Sequence, residues 1–294
     1  MATLKEVKLK IIGVKKTRQI TSAMKMVATS RLRGAQMAME AFRPYAAKYA
    51  EVLGSLAEKA GENASPLLVP REEVKKIHIV LCTSDRGLCG GFNFNLIDKA
   101  VALIEEKKGQ NVEISITNFG KKGRDWARNE GLTIADQYLG VIGSKFGFNI
   151  ASVAGQKLIN KFLSEEYDEV YVIYSRFVSM AKQLPVVQQV LPIPPIEVEE
   201  AEEGQPYLAE HICEPSPQAL LGEMLPKNVF IQIYSGLLET STSEHAARMS
   251  AMDNATKACK DMINDLQRLF NKTRQAAITA DLMDIVGGAE ALKG

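Results

Sequence analysis

What this chain of 294 residues lacks narrows its possibilities first. It has four cysteines, Cys82, Cys89, Cys213 and Cys259, and no two stand in a C-x-x-C spacing. With only three histidines no zinc-ligand cluster forms, so neither a zinc site nor a disulfide framework is expected. Aromatic residues make up 6%, with a single tryptophan. Long apolar runs of membrane-spanning length are missing, and so is a secretory signal; any membrane role is expected to come through a partner. Neither G-x-G-x-x-G nor G-x-x-x-x-G-K-[ST] occurs. From Val229 to the end there is no proline.

What is present is a soluble-protein composition with an uneven charge. Hydrophobic residues are 46% and charged residues 24%, enough apolar side chains for a sizeable core. The first fifty residues carry Lys5, Lys8, Lys10, Lys15, Lys16, Arg18, Lys25, Arg31, Arg33, Arg43 and Lys48 against Glu6 and Glu40. The acidic excess lies elsewhere, notably at 197–203 (EVEEAEE). A basic surface that meets something negative is one reading; a solvated helix face is the other.

The C-terminal stretch organises the chain. Alternate steps of three and four from Ile231 land on Tyr234, Leu238, Ser241, His245, Arg248, Met252, Ala255, Cys259, Met262, Leu266, Leu269, Thr273, Ala276, Ala280 and Met283. This heptad seam predicts one continuous helix over 229–286, ended by Gly287 and Gly288, and a helix of that length needs a partner for its seam. Ser216 and Pro217 read as the start of a helix that Pro226 interrupts or kinks. The N-terminal stretch supplies the partner. Leu4, Val7, Ile11 and Val14 fit one seam, and Leu32, Ala35, Met39, Phe42, Ala46, Tyr49, Leu53 and Leu56 fit the same frame. Between them the frame meets Arg18, Thr21 and Lys25, while Ile20, Met24 and Val27 lie one position off, so the apolar stripe is expected to drift there. Pro44 predicts a kink.

Between the two helices the rhythm changes. After a linker at 61–70, strands are predicted at 77–82, 112–117, 132–139, 169–174 and 185–191, with helices near 94–108, 121–130 and 149–165. Strands alternating with helices imply a mostly parallel sheet. The expected fold class is α/β with long helices: an antiparallel two-helix coiled coil from the two chain ends plus an inserted Rossmann-like α/β domain. The expected divisions are 1–60, 74–195 and 210–290.

Candidate chemistry is sparse. The loop at 83–93 (TSDRGLCGGFN) follows a strand and precedes a helix, where a phosphate could bind, but its glycines match no phosphate-loop pattern. A tight turn, or a surface loop presenting Asp85, Arg86 and Cys89 to a partner, are the other readings. Residues 119–123 (FGKKG) read better as a solvated turn than as a phosphate loop. His78 reads as a packed core residue and His245 as an interhelix hydrogen-bonding group. A charge at Arg248 is costly on a sealed seam, so that part of the shaft is expected to be loosely closed. Nothing assembles a nucleophile, a base and an oxyanion site. A nucleotide-binding α/β protein and a basic coiled-coil scaffold for nucleic acid stand as alternative readings.

Five stretches carry a more specific signal: 17–28 (TRQITSAMKMVA), 84–93 (SDRGLCGGFN), 247–256 (ARMSAMDNAT), 271–279 (NKTRQAAIT) and 285–289 (IVGGA). Together they resemble the gamma subunit of the F-type ATP synthase, of bacterial type, across essentially the whole chain. Asp281 departs from the family pattern, which usually has glutamate there. The resemblance implies a rotor shaft that is not catalytic on its own and takes no cofactor or metal. Proton or sodium flow through a c ring would turn it inside three alpha and three beta subunits that carry the nucleotide sites. It implies contacts with alpha and beta through Met24, Lys25, Arg86, Cys89, Arg248, Arg274, Gln275 and Thr279. It implies contacts with epsilon and the c ring through His211, Cys213 and Glu214. It also implies no nucleic acid, and membrane contact only through the ring. The plant regulatory insertion with its close cysteines is absent, so no thiol switch is expected. The start of the chain shows no transit peptide, which places the expected protein on the cytoplasmic face of a bacterial inner membrane.

Overall fold

A computed structural model describes residues 3–60, 65–108, 112–194 and 216–291. The chain is built of α1 (Leu4–Ala60), β1 (Lys76–Cys82), α2 (Phe92–Lys108), β2 (Glu113–Phe119), α3 (Lys121–Asn129), β3 (Thr133–Tyr138), α4 (Phe148–Leu163), β4 (Glu169–Phe177), β5 (Gln183–Leu191) and α5 (Pro217–Ala291). It divides into two compact units, residues 1–28 with 248–294 and residues 29–247.

The larger unit holds one sheet in the order β3-β2-β1-β4-β5. β1 pairs in parallel with β2 and β4, β2 in parallel with β3, and β5 returns antiparallel to β4. Alternation along β1 sorts its side chains onto two faces. Ile77, Ile79 and Leu81 pack with Leu96, Ala100 and Leu103 of α2 and Ala127 of α3. Val80 and Cys82 join Ala154, Leu158 and Phe162 of α4, Leu53 and Leu56 of α1, and Leu221, Leu225, Val229, Ile233 and Leu237 of α5. Those α5 residues recur every fourth position, a ridge suited to packing on a sheet face. Gly155 of α4 lets α5 come close, because a Cβ there would run into the Phe230 ring.

Within this unit the two long helices run antiparallel. The Tyr49 hydroxyl donates to the carbonyl of Met224 at 2.8 Å, Phe42 meets Tyr234 edge-on at 4.8 Å, and Arg43 pairs with Glu239 at 3.2 Å. From Phe42 to Tyr49 the contacts step back from Tyr234 to Met224, so the helices run in opposite directions.

In the smaller unit, residues 4–28 of α1 and 248–291 of α5 also run antiparallel. Val7 and Ile11 pack on Leu266, with Val14 and Phe270 against them, while Thr21 meets Thr256. This bears out the expected pairing of the two chain ends around an inserted α/β layer.

Several local expectations are corrected. The C-terminal helix begins at Ser216 and Pro217 as expected, but Pro226 does not interrupt it. It also runs through Gly287 and Gly288, which do not adopt positive φ; glycine inside a helix costs only about 1 kcal/mol relative to alanine. α1 continues through Pro44, in keeping with the expectation of a kink and not a break; Pro44 is exposed, as is Glu40, whose carbonyl loses its helical donor to the proline. The linker expected at 61–70 has its described end docked: Leu67 is buried and its carbonyl accepts the Ile193 amide at 2.8 Å.

The seams are corrected too. From Thr256 onward the sheltered residues of α5 are Thr256, Cys259, Ile263, Leu266, Phe270, Thr273 and Ala277, so Met262, Leu269 and Ala276 stand outside. On α1 the stripe does not drift. Thr21 and Ala28 are buried, while Ile20 and Val27 are 60% and 55% exposed.

Candidate partner-contact surfaces

The loop after β1 is built by its own side chains. Ser84 N donates to the Asn93 side-chain oxygen at 2.9 Å, and the Ser84 hydroxyl donates to the Arg86 carbonyl at 2.6 Å. Asn93 Nδ2 donates to Ser84 Oγ at 2.8 Å and to Cys89 Sγ at 3.2 Å. Leu88 and Gly90 take φ of 66° and 60°, the left-handed region that glycine accepts freely and leucine does not. The result lifts Arg86, Gly87 and Leu88 into solvent and buries Cys89 beneath them at 2% exposure. Arg86 is therefore presented, whereas Cys89 supports the loop from below.

A phosphate would need free amide donors at the carboxyl edge of the sheet. The first turn of α3 has its donors occupied. The Asp85 carboxylate accepts from Lys121 N at 3.1 Å and from Gly140 N at 3.1 Å. The Ser84 carbonyl accepts from Lys122 N at 3.1 Å, and Thr83 Oγ1 accepts from Gly123 N at 2.7 Å. Gly120 has a φ of 103° and lies so close that a Cβ would collide with the Thr83 carbonyl. The 119–123 stretch is thus a packed junction, not the solvated turn expected of it. Of the two loops that could have cradled a phosphate, the one at 119–123 is thereby filled.

At the end of β4 the edge is filled by α5. Phe177 N donates to Glu239 Oε2 at 3.0 Å, Ser175 N donates to Thr240 Oγ1 at 3.3 Å, and Ser243 Oγ donates to the Ser175 carbonyl at 3.0 Å. Residues 240–245 are all buried although every one is polar. This polar run is the joint between helix and sheet. His245 lies within it, 2.9 Å from the Glu244 carboxylate and beside Gly143 of the β3–α4 connection. His78 is a core residue as expected, with Nδ1 2.7 Å from Ser115 Oγ, Nε2 2.9 Å from Thr117 Oγ1 and its ring stacked on Tyr167.

On the helix pair, Met24, Lys25 and Arg248 are half-buried. Lys25 Nζ lies 2.6 Å from Asp253, which also holds Lys257 at 2.7 Å. Hydrogen bonds from Lys25 first and Lys257 second pull the Asp253 carboxyl down to about 2. Farther along α5, Arg274, Gln275 and Thr279 are exposed, and the Thr279 hydroxyl donates back to the Gln275 carbonyl at 3.0 Å. Ile278, Leu282, Met283, Ile285 and Val286 are exposed as well, all on the last four turns. His211, Cys213 and Glu214 lie outside the described residues. The exposed surface formed by Ile20, Met26 and Val27 was not anticipated; only the departure of the polar frame from the apolar stripe could have signalled it.

The ATP synthase family profile matches residues 3–292. The ATP synthase gamma chain of Desulforapulum autotrophicum is 70% identical, aligned over 99% of this chain and 100% of its own length. This chain belongs to the ATP synthase gamma chain family. The gamma chain of Desulfosudis oleivorans is 67% identical over the full length of both. Among solved structures, a chain of the Euglena gracilis mitochondrial ATP synthase, in the OSCP/F1/c-ring assembly at rotational state 3, superposes with a TM-score of 0.68 at 19% identity. That match covers 98% of this chain and 94% of the other, and supports the fold. Among the described residues no helix is long and apolar enough to cross a membrane, and no group of His, Cys, Asp or Glu could hold a metal ion.

Proposed function

We infer that this gamma chain is the central rotor shaft of the F1 sector of a proton- or sodium-translocating ATP synthase, without catalytic chemistry of its own. The observation that carries this is the antiparallel pairing of the two chain ends into helices without a break, α5 alone being 75 residues. A long unbroken pair of helices resists twisting, which torque transmission requires. Three alpha and three beta subunits would hold the nucleotide sites around it, and its working place is the cytoplasmic face of a bacterial inner membrane.

In this reading residues 1–60 and 210–290 are the shaft and 74–195 the foot. Arg274 and Gln275, exposed with Thr279 one turn on, engage a loop of beta. Met24, Lys25 and Arg248 act on coupling from the helix pair. Arg86 faces a beta lobe, with Cys89 holding its loop in shape. His211, Cys213 and Glu214 belong to the region that meets epsilon and the c ring. The exposed apolar side chains over 278–286 suit a close-fitting, low-friction sleeve.

Co-expression with alpha and beta subunits tests the proposal. A stable complex whose ATPase activity and rotation depend on this chain is the expected result; tight ATP or DNA binding by the isolated chain would overturn it. Arg274→Ala should lower ATP synthesis at least severalfold while leaving the thermal unfolding of the chain unchanged, since the side chain is exposed. Unchanged synthesis would remove Arg274 from its role.

A further inference from the structure

We propose that Thr21, Thr256, Lys25 and Asp253 form a phase lock: a polar layer that sets which face of α1 meets α5 and keeps Ile20, Met26 and Val27 turned outward. The inference concerns positioning within the helix pair and stands whether or not the rotor reading holds.

The starting point is an unfavourable choice. Ile20, Met24 and Val27 are spaced to form one helical stripe, and burying Ile20 and Val27 would each contribute about 1.5–3 kcal/mol. The fold leaves those two largely in solvent and shelters Thr21 at 9% exposure and Ala28 at 1%. Some interaction at the chosen phase must offset the burial forgone.

The hydroxyls supply a directed contact. Thr256 Oγ1 donates its one proton to the Met252 carbonyl at 2.7 Å. The two threonine oxygens are 2.8 Å apart, so Thr21 is the donor across the helix gap, with Thr256 accepting. The Arg18 carbonyl, 3.1 Å away, is the local alternative for the Thr21 proton. One turn on, Lys25 reaches Asp253 at 2.6 Å, and Lys257 holds the other carboxylate oxygen at 2.7 Å. Each such exposed ion pair is worth little alone. Turning α1 by one residue position would break the Thr21–Thr256 and Lys25–Asp253 contacts together and leave the half-buried Thr256 without its cross-helix donor. A polar group placed on a helix seam is best attested as a device for specifying geometry at some cost in stability. The competing explanation is that the apolar frames on either side, Leu4 to Val14 and Leu32 to Leu56, hold the phase by continuity.

Thiol accessibility separates the two. In the full chain, Ile20→Cys and Ala28→Cys are labelled with a maleimide and quantified peptide by peptide, so that native cysteines do not interfere. With the polar layer intact, position 20 reacts much faster than position 28. In a Thr21→Val, Thr256→Val, Lys25→Leu, Asp253→Leu background the ratio should fall by about tenfold or more, because protection follows the free energy of exposing each face. Thr21→Ser with Thr256→Ser keeps both hydroxyls and should keep the ratio. An unchanged ratio in the four-residue variant, with its helical circular dichroism intact, would overturn the proposal and assign the phase to the flanking frames. Failure of that variant to fold would overturn it too, since apolar replacements at a device for phase alone should not unfold the pair.

Discussion

His78 shows how one side chain can read the solvent through the whole fold. Burial first, and the charge of Lys161 second, pull its pKa from 6.5 down to about 3. Folded, the ring is neutral; unfolded, it takes up a proton below about 6.5. The unfolded chain therefore binds more protons between those limits, and stability present at neutral pH is lost as pH falls from about 6.5 toward about 3. Between pH 6.5 and 4.5 this amounts to roughly 2–3 kcal/mol. Urea unfolding at the two pH values should show that loss in the parent chain and a much flatter response in His78→Gln. The strand placement of His78 was legible from the apolar residues around it. Its partners Ser115 and Thr117 were not, because they come from a strand paired through parallel register.

At the scale of elements, periodicity and short apolar runs located the strands of the described residues and both long helices, since each has to bury at least one face. It failed where two neighbouring frames were both chemically plausible. A step of three from Cys259 gives Met262 and a step of four gives Ile263, and both are apolar. The fold shelters Ile263 and leaves Met262 48% exposed. Leu266→Ala should accordingly cost about 2 kcal/mol or more, the lower end for a leucine truncated in a core, because the site is narrow. Met262→Ala should stay within about 0.5 kcal/mol. Thermal or urea unfolding of the two variants checks the assignment; equal losses would restore the original frame. The burial of the polar run at 240–245 was hidden for a different reason. Its hydrogen bonds go to β4, some seventy residues earlier, and nothing local announces them. The same limit hid the role of Asp85, whose two backbone partners lie well beyond it, at the first residue of α3 and just after β3.

For the molecule as a whole, the resemblance to a family carried more of the function than any physical pattern did. Composition and spacing excluded metal-ligand clusters and the standard phosphate loops, and the paired ends suggested a stiff shaft. They could not say what turns it. One whole-molecule expectation is open to a direct check. Cys82 and Cys89 are buried in the larger unit, and Cys259 is half-buried in the smaller one. The assembled enzyme's ATPase rate should be the same with and without a thiol reductant; a change of twofold or more would show that a cysteine pair regulates it.

The loop that carries Leu88 leads to a last consequence. Its leucine is held at φ 66° and 63% exposed, while a serine, an asparagine and a thiol brace the backbone beneath it. A knuckle of this kind is already frozen before anything touches it. Whatever surface it strikes meets a hard edge, and little freedom remains to be surrendered on contact.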